Sequence, residues 1–201
     1  MNLEQYKSLL STDVSDAMGQ KCAMDIGIRS VFQPAPAIMG FAFTVKCVNH
    51  SNTYLHDAIY SAPKGAIVVA EVDENNYAVA GGNVCSVAQL NGIAGFVIDG
   101  AARDLGEIRS IQFPVFARGM YPKPGGKKKE GESQVPIQCG GLEVKTGDLI
   151  VADEEGIVVV PKTDVESVLE QALIQKEKAE QTSLEQWREK HQAAIKAIVE
   201  G

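Results

Sequence analysis

The chain has no basic excess. Its 19 Lys and Arg are outnumbered by 26 Asp and Glu, a formal net charge of −7, which argues against a nucleic-acid-binding surface because phosphate recognition needs clustered cations. It also lacks any apolar run long enough to span a membrane. The opening "MNLEQYKSLL" is polar, without the apolar stretch of a secretory signal. Four cysteines (Cys22, Cys47, Cys85 and Cys139) stand far apart and miss the paired spacing of a zinc site. Reduced thiols in a cytoplasmic protein are the expectation. No internal repeat is visible.

What remains is an ordinary globular balance, 45% hydrophobic and 22% charged over 201 residues, long enough for one domain with a substantial core. Residues 3–19 predict an amphipathic helix with Leu3, Tyr6, Leu9 and Leu10 on one side, renewed at Ser11 and stopped at Gly19. "PAPAIMGFAFTVKCV" predicts a strand, "TYLHDAIYSA" a helix and "GAIVVAEV" a buried strand. From Ala80 the order is helix ("GGNVCSVAQLNG"), strand ("IAGFVID"), helix ("DLGEIRSI") and strand ("FPVFARG"), the pattern of parallel strands with crossovers. The glycine-punctuated stretch 135–161 predicts hairpins. A long helix from about Lys162 to Val199, broken near Thr182–Ser183, ends the pattern. Its apolar positions Val168, Leu169, Leu173 and Ile174 exceed what a solitary surface helix needs, which predicts a contact with another subunit.

Ligands of α/β sheets gather beyond the carboxyl ends of the strands. Arg103 and Asp104 fall at such an end, with Gly100 placed to turn the chain just before them. Asp104 can be read as a helix N-cap and Arg103 as a surface cation; alternatively the pair forms a site. Gly81-Gly82-Asn83 opens the preceding helix, where unpaired N–H groups suit an anion. Two adjacent strand-to-helix turns of this kind make a site for a small acid with a metal. "YPKPGGKKKEGE" (Tyr121 to Glu132) reads either as a solvated connection or as a basic flap over an anion. His56 reads as a structural or helix-surface histidine, with a base as the alternative, and Cys85 as a small buried apolar side chain.

The blocks "STDVSDAMG", "MGFAFTVKC", "AQLNGIAGFVIDGAARD", "FPVFARG" and "GGLEVKTGDLIVADEEGIVVVP" resemble the RraA-like family, over about residues 10–165. That family holds regulators of ribonuclease E activity and metal-dependent 4-hydroxy-4-methyl-2-oxoglutarate aldolases. The resemblance implies a single α/β domain with a swivelling-domain-like β/β/α arrangement, a C-terminal helical extension over about 162–200, and a homotrimer or hexamer. It implies a divalent cation, Mg2+ or Mn2+, ligated by Asp104. Arg103 would face the keto oxygen of a small 2-oxo acid as the catalytic residue. The turn Gly81, Gly82, Asn83 and Val84 would hold its carboxylate, chiefly through the N–H groups of Asn83 and Val84. One departure stands out. The aldolases carry an acidic residue twenty-one positions before the Arg, where 103 − 21 gives Gly82 in this chain. Glu71, Asp73 or Glu74 are candidates to replace it, and Glu177 or Glu180 to supply an acid from a neighbouring subunit. A non-catalytic regulator of a ribonuclease or other protein partner is the other function that the resemblance allows.

Overall fold

In a computed structural model of the protein, residues 3–19 and 22–200 are described. In chain order the elements are α1 (Ser11–Met18), β1 (Arg29–Ser30), β2 (Ile38–Cys47), α2 (Thr53–Ser61), β3 (Ile67–Val72), β4 (Ala78–Ala80), α3 (Gly82–Leu90), β5 (Gly95–Ala102) and α4 (Leu105–Ile111). Then follow β6 (Val115–Met120), β7 (Glu132–Ser133), β8 (Ile137–Cys139), β9 (Leu142–Val144), β10 (Leu149–Ala152), β11 (Ile157–Val160), α5 (Val165–Glu180) and α6 (Leu184–Glu200). A nine-stranded sheet runs β1-β6-β5-β3-β2-β10-β11, with β4 beside the end of β5 and β7 beside β2.

The apolar runs expected to form buried strands lie at its centre. β2, β3, β5 and β6 are mutually parallel neighbours, as their alternation with helices requires. Ile67, Val68, Val69 and Ala70 of β3 are all 0% exposed, each larger side chain contributing about 1.5–3 kcal/mol by leaving water. The glycine-punctuated stretch forms two antiparallel hairpins, β8–β9 and β10–β11.

Three apolar clusters show the layering. Helices α2, α3 and α4 cover one face of the sheet through Leu55, Cys85 and Ile108 against Phe96 and Ile98. The hairpin β8–β9 covers the other face through Ile137, Cys139 and Val144 against Ile67, Val69 and Val97. This is the β/β/α arrangement that the resemblance implied. Helices α1 and α5 pack together over β10 and β11 around Val14, Leu149, Val158 and Leu169.

Three expectations are corrected. The N-terminal helix is two pieces: a single 3₁₀ turn, Leu3–Tyr6, and then α1. The Asp13 carboxylate accepts the Leu10 N–H at 2.9 Å, and Ser11 bonds Asp153 through both N–H and hydroxyl at 2.7 Å. These ties start a new helix there, and Leu10 is turned outward, 45% exposed. Second, β5 does not stop at Asp99. It continues to Ala102, and Gly100 is no turn: a β-carbon there would lie 2.7 Å from Val72, so close packing on β3 requires the glycine. Third, the apolar stripe of α5 is covered by its own chain, with Leu169 buried and Val168 and Leu173 packed on the α1 cluster. The expected break at 181–183 is present, and beyond it α6 has no buried residue.

Candidate active site

The extra length of β5 builds the site. β4 and β5 run parallel and end together, Ala80 opposite Ala102. The Arg103 N–H donates to the Ala80 carbonyl at 2.9 Å, so Gly81 and Arg103 leave the sheet side by side. Each is followed at once by a helix, α3 or α4.

Asp104 occupies the N-cap position of α4, but its side chain makes no capping bond there. Its backbone is left-handed, φ 61° and ψ 43°, a conformation that Asp tolerates better than most residues. The carboxylate is thereby turned toward the neighbouring helix. Its Oδ2 accepts the Gly82 N–H at 3.2 Å and lies 3.3 Å from Arg103 Nε. The simple N-cap reading therefore fails.

Of the three leading N–H groups of α3, that of Gly82 is used by Asp104. Those of Asn83 and Val84 have no partner among the described residues, the state that makes a helix N-terminus attractive to an anion. Gly81, Asn83, Val84, Arg103 and Asp104 line one cleft of about 170 Å³. Gly82 is buried behind it, where it serves Asp104 and packs on α4. The expected residues thus come together, with Gly82 in a supporting place.

The opposite wall shows what sequence reasoning missed. It consists of Asn52, His56, Pro124, Gly125 and Lys127. The segment 121–131 is anchored by backbone bonds: Ala78 N–H to Lys123, Gly125 N–H to Ala78, Asn52 N–H to Gly126, and Gly126 N–H to His50. Lys127 Nζ donates to Asn52 Oδ1 and, at 2.8 Å, to His56 Nδ1. Lys128 Nζ reaches the Asn49 carbonyl at 3.0 Å. The segment is largely exposed but tied down by these bonds, an ordered cationic wall rather than a loose flap.

His56 bonds the Val79 carbonyl through Nε2 at 3.1 Å, which assigns the proton to Nε2 and leaves Nδ1 to accept from Lys127. Burial, and next the Lys127 charge, lower its pKa to about 4. The neutral imidazole is thus a support for Lys127. Burial of the ammonium likewise lowers the pKa of Lys127. Cys85 is fully buried, as its bland reading held, and burial raises its thiol to about 12, with the Asp104 charge adding to the shift. All four cysteines are free thiols.

The candidates to replace an acid at position 82 are engaged elsewhere. Glu71 holds Lys46 and the Gln138 N–H, Asp73 the Tyr77 hydroxyl and Asn49 N–H, and Glu74 His50 and Asn76. Instead Glu107 of α4 approaches: its Oε2 lies 1.8 Å from where a β-carbon on Gly82 would stand. The near i+3 position of Glu107 after Asp104 was the available signal. Glu177 and Glu180 are exposed on α5 and do not line their own chain's cleft. Among the described residues no cluster of three His, Cys, Asp or Glu side chains forms a closed metal cage. Such a cage is not required by Mg2+, which binds through one or two carboxylates and completes its shell with water and substrate oxygens. The open carboxylate of Asp104 fits that mode.

The family profile described as RraA-like (Aldolase/RraA) matches residues 11–159. The chain belongs to the RraA-like family. A protein of Halalkalibacterium halodurans that carries the provisional name of 4-hydroxy-4-methyl-2-oxoglutarate aldolase is 33% identical over 199 residues, covering 98% of this chain and 93% of its own. An uncharacterized protein from Pseudomonas syringae pv. tomato DC3000 superposes with a TM-score of 0.78 at 30% identity, covering 94% of this chain and 92% of that one. The RNA-processing inhibitor RraA from Thermus thermophilus gives 0.71 at 28% identity, over 77% and 94% of the two chains. No described helix is long and apolar enough to cross a membrane.

Proposed function

We propose that this RraA-like protein is a divalent-metal-dependent lyase that acts on a small 2-oxo acid. The reactions are retro-aldol cleavage of a 4-hydroxy-2-oxo dicarboxylic acid to pyruvate, and decarboxylation of oxaloacetate. The supporting observation is the convergence on one cleft of two unpaired helix N–H groups, a guanidinium and an open carboxylate. In both reactions the C3–C4 bond breaks and its electron pair flows toward the keto oxygen, giving the enolate of pyruvate, which then takes a proton from water. C4 leaves as CO2 from oxaloacetate, or as a carbonyl compound once the 4-hydroxyl has given its proton to water. Asn83 and Val84 N–H groups hold the substrate carboxylate. Arg103 presents fixed positive charge to the oxygen on which charge develops, and this costs no reorganisation during reaction. Asp104 would hold the cation, Mg2+ or Mn2+, which when bound supplies Lewis-acid stabilisation of the same oxygen. The Gly82 N–H fixes the Asp104 carboxylate for that task.

The assembly proposed is a homotrimer or hexamer working in the cytoplasm. Its support is α6, which leaves Leu184, Trp187, Ile195, Ile198 and Val199 exposed within one chain.

Pyruvate release from oxaloacetate, measured with Mg2+, with a chelator, and in Asp104→Asn, tests the lyase reading. Asn retains the shape and tolerance of the left-handed backbone while losing the charge. Metal-stimulated release should disappear with the oligomer still folded. An Asp104→Asn protein as active as the parent would sink this reading. The similarity to an RNA-processing inhibitor supports a second one, a non-catalytic regulator that binds a protein partner. Absence of any metal-stimulated turnover in the parent would favour it.

A further inference from the structure

The wall facing Arg103 has a charge that the chemistry at the keto carbon does not use. Lys127 is exposed overall, but its ammonium is held at the cleft by two acceptors. One is Asn52, 4% exposed and itself fixed by its backbone bond to Gly126. The other is His56, whose ring is oriented by Val79. An ammonium has three donors, and these two partners use two of them. The third has no partner among the described residues, and Lys127 lines the cleft together with Arg103 and the α3 N-terminus. Holding a lysine this way sacrifices side-chain freedom and partly desolvates a cation, a cost that an anionic ligand between the two walls would offset. Lys128 is the useful contrast. It also ties the segment down, through the Asn49 carbonyl, but it does not line the cleft.

We propose that Lys127, oriented by Asn52 and His56, pairs with the second carboxylate of a dicarboxylic 2-oxo acid and so sets the specificity of the cleft. The assignment rests on the reading of the cleft as a 2-oxo acid site. It also separates the two reactions. In retro-aldol cleavage the far carboxylate stays a carboxylate, and its cation remains useful throughout. In oxaloacetate decarboxylation the C3–C4 bond breaks, its electron pair passes into the enolate, and the far carboxylate leaves as neutral CO2. A cation paired with that group stabilises the bound substrate more than the transition state.

The test is calorimetric titration of the full-length protein with Mg2+, using 2-oxoglutarate and 2-oxopentanoate, which differ in the far carboxylate. The parent should bind the dicarboxylate roughly ten- to hundredfold more tightly, the range of one charge-assisted hydrogen bond. Lys127→Met should remove the preference with little change for 2-oxopentanoate, while Lys128→Met keeps it. Three outcomes overturn the assignment: no preference in the parent, a preference that survives in Lys127→Met, or equal weakening of both acids, which marks a mere tie for the segment. A parent that binds neither acid overturns it as well. With oxaloacetate as substrate, Lys127→Met should raise KM without lowering kcat. Loss of the binding preference in a protein without decarboxylase activity would retain Lys127 and reject the lyase; turnover without any preference would do the reverse.

Discussion

Replacing Gly82 by Ala tests the packing of the two site helices on each other. A β-carbon at this position would stand 1.8 Å from Glu107 Oε2 and 2.7 Å from both Cδ and Cβ of Glu107. The carboxylate can rotate away because Glu107 is exposed, but its β-carbon is fixed to α4, so a shift of that helix is required. Overpacking of this kind costs about 1–3 kcal/mol. Against it, a Gly to Ala change at an unstrained backbone gains about 0.4–1 kcal/mol by restricting the unfolded chain. The net expectation is a loss of about 1 kcal/mol. In a Glu107→Gly background all three close contacts vanish, the fixed β-carbon included, and the same substitution should become nearly neutral. Urea unfolding of the four proteins at one fixed protein concentration, which holds any assembly contribution constant, gives the coupling directly. A coupling of about 1 kcal/mol is expected. If Gly82→Ala costs the same with and without Glu107, the side chain does not occupy that space and the account of Gly82 as a packing residue is wrong.

Three other outcomes are expected. Because the folded pKa of His56 lies near 4, below the usual 6.5, its neutral form contributes stability fully present above about pH 6.5. This contribution fades as the pH falls toward 4; an imidazole titrating near 6.5 by NMR in the folded protein would contradict the burial argument. Lys127→Met should raise that titration only in part, since burial is the larger cause. Arg103→Lys should lower kcat by roughly a hundredfold to a thousandfold, about 2.7–4 kcal/mol, while changing metal affinity little, because an ammonium lacks the planar fork; equal kcat values for the two proteins would remove Arg103 from the reaction. Light scattering should give three or six times the chain mass, and a stable monomer at micromolar concentration would refute the proposed assembly.

The sheet centre was legible because its signals are local. Runs such as "GAIVVAEV" are too short for helices and too apolar for a surface, and glycine marks their ends. Arg103, Asp104 and the Gly81–Val84 turn were legible for a similar reason, each being one strand-to-helix junction. Chain-distant packing defeated the rest. Nothing near Gly100 says that Val72 presses on it, so a strand residue looked like a turn. Lys127 looked like an untethered surface charge because its acceptors, Asn52 and His56, lie more than seventy positions earlier. The N-terminal helix broke for the same kind of reason: Asp153, far along the chain, holds Ser11.

Asp104 turns away from its own helix and takes the first N–H of α3 instead. On the proposed reading this single hydrogen bond makes the cation and the substrate anion thermodynamically linked ligands. A cation on Asp104 draws electron density from the acceptor of the Gly82 N–H, which lies one and two residues before the N–H groups of Asn83 and Val84 that await the carboxylate. Linkage is reciprocal by necessity: the factor by which the cation alters the anion's affinity is the factor by which the anion alters the cation's. An enzyme with one firm protein ligand for its metal would then hold that metal most strongly when the substrate is already in place.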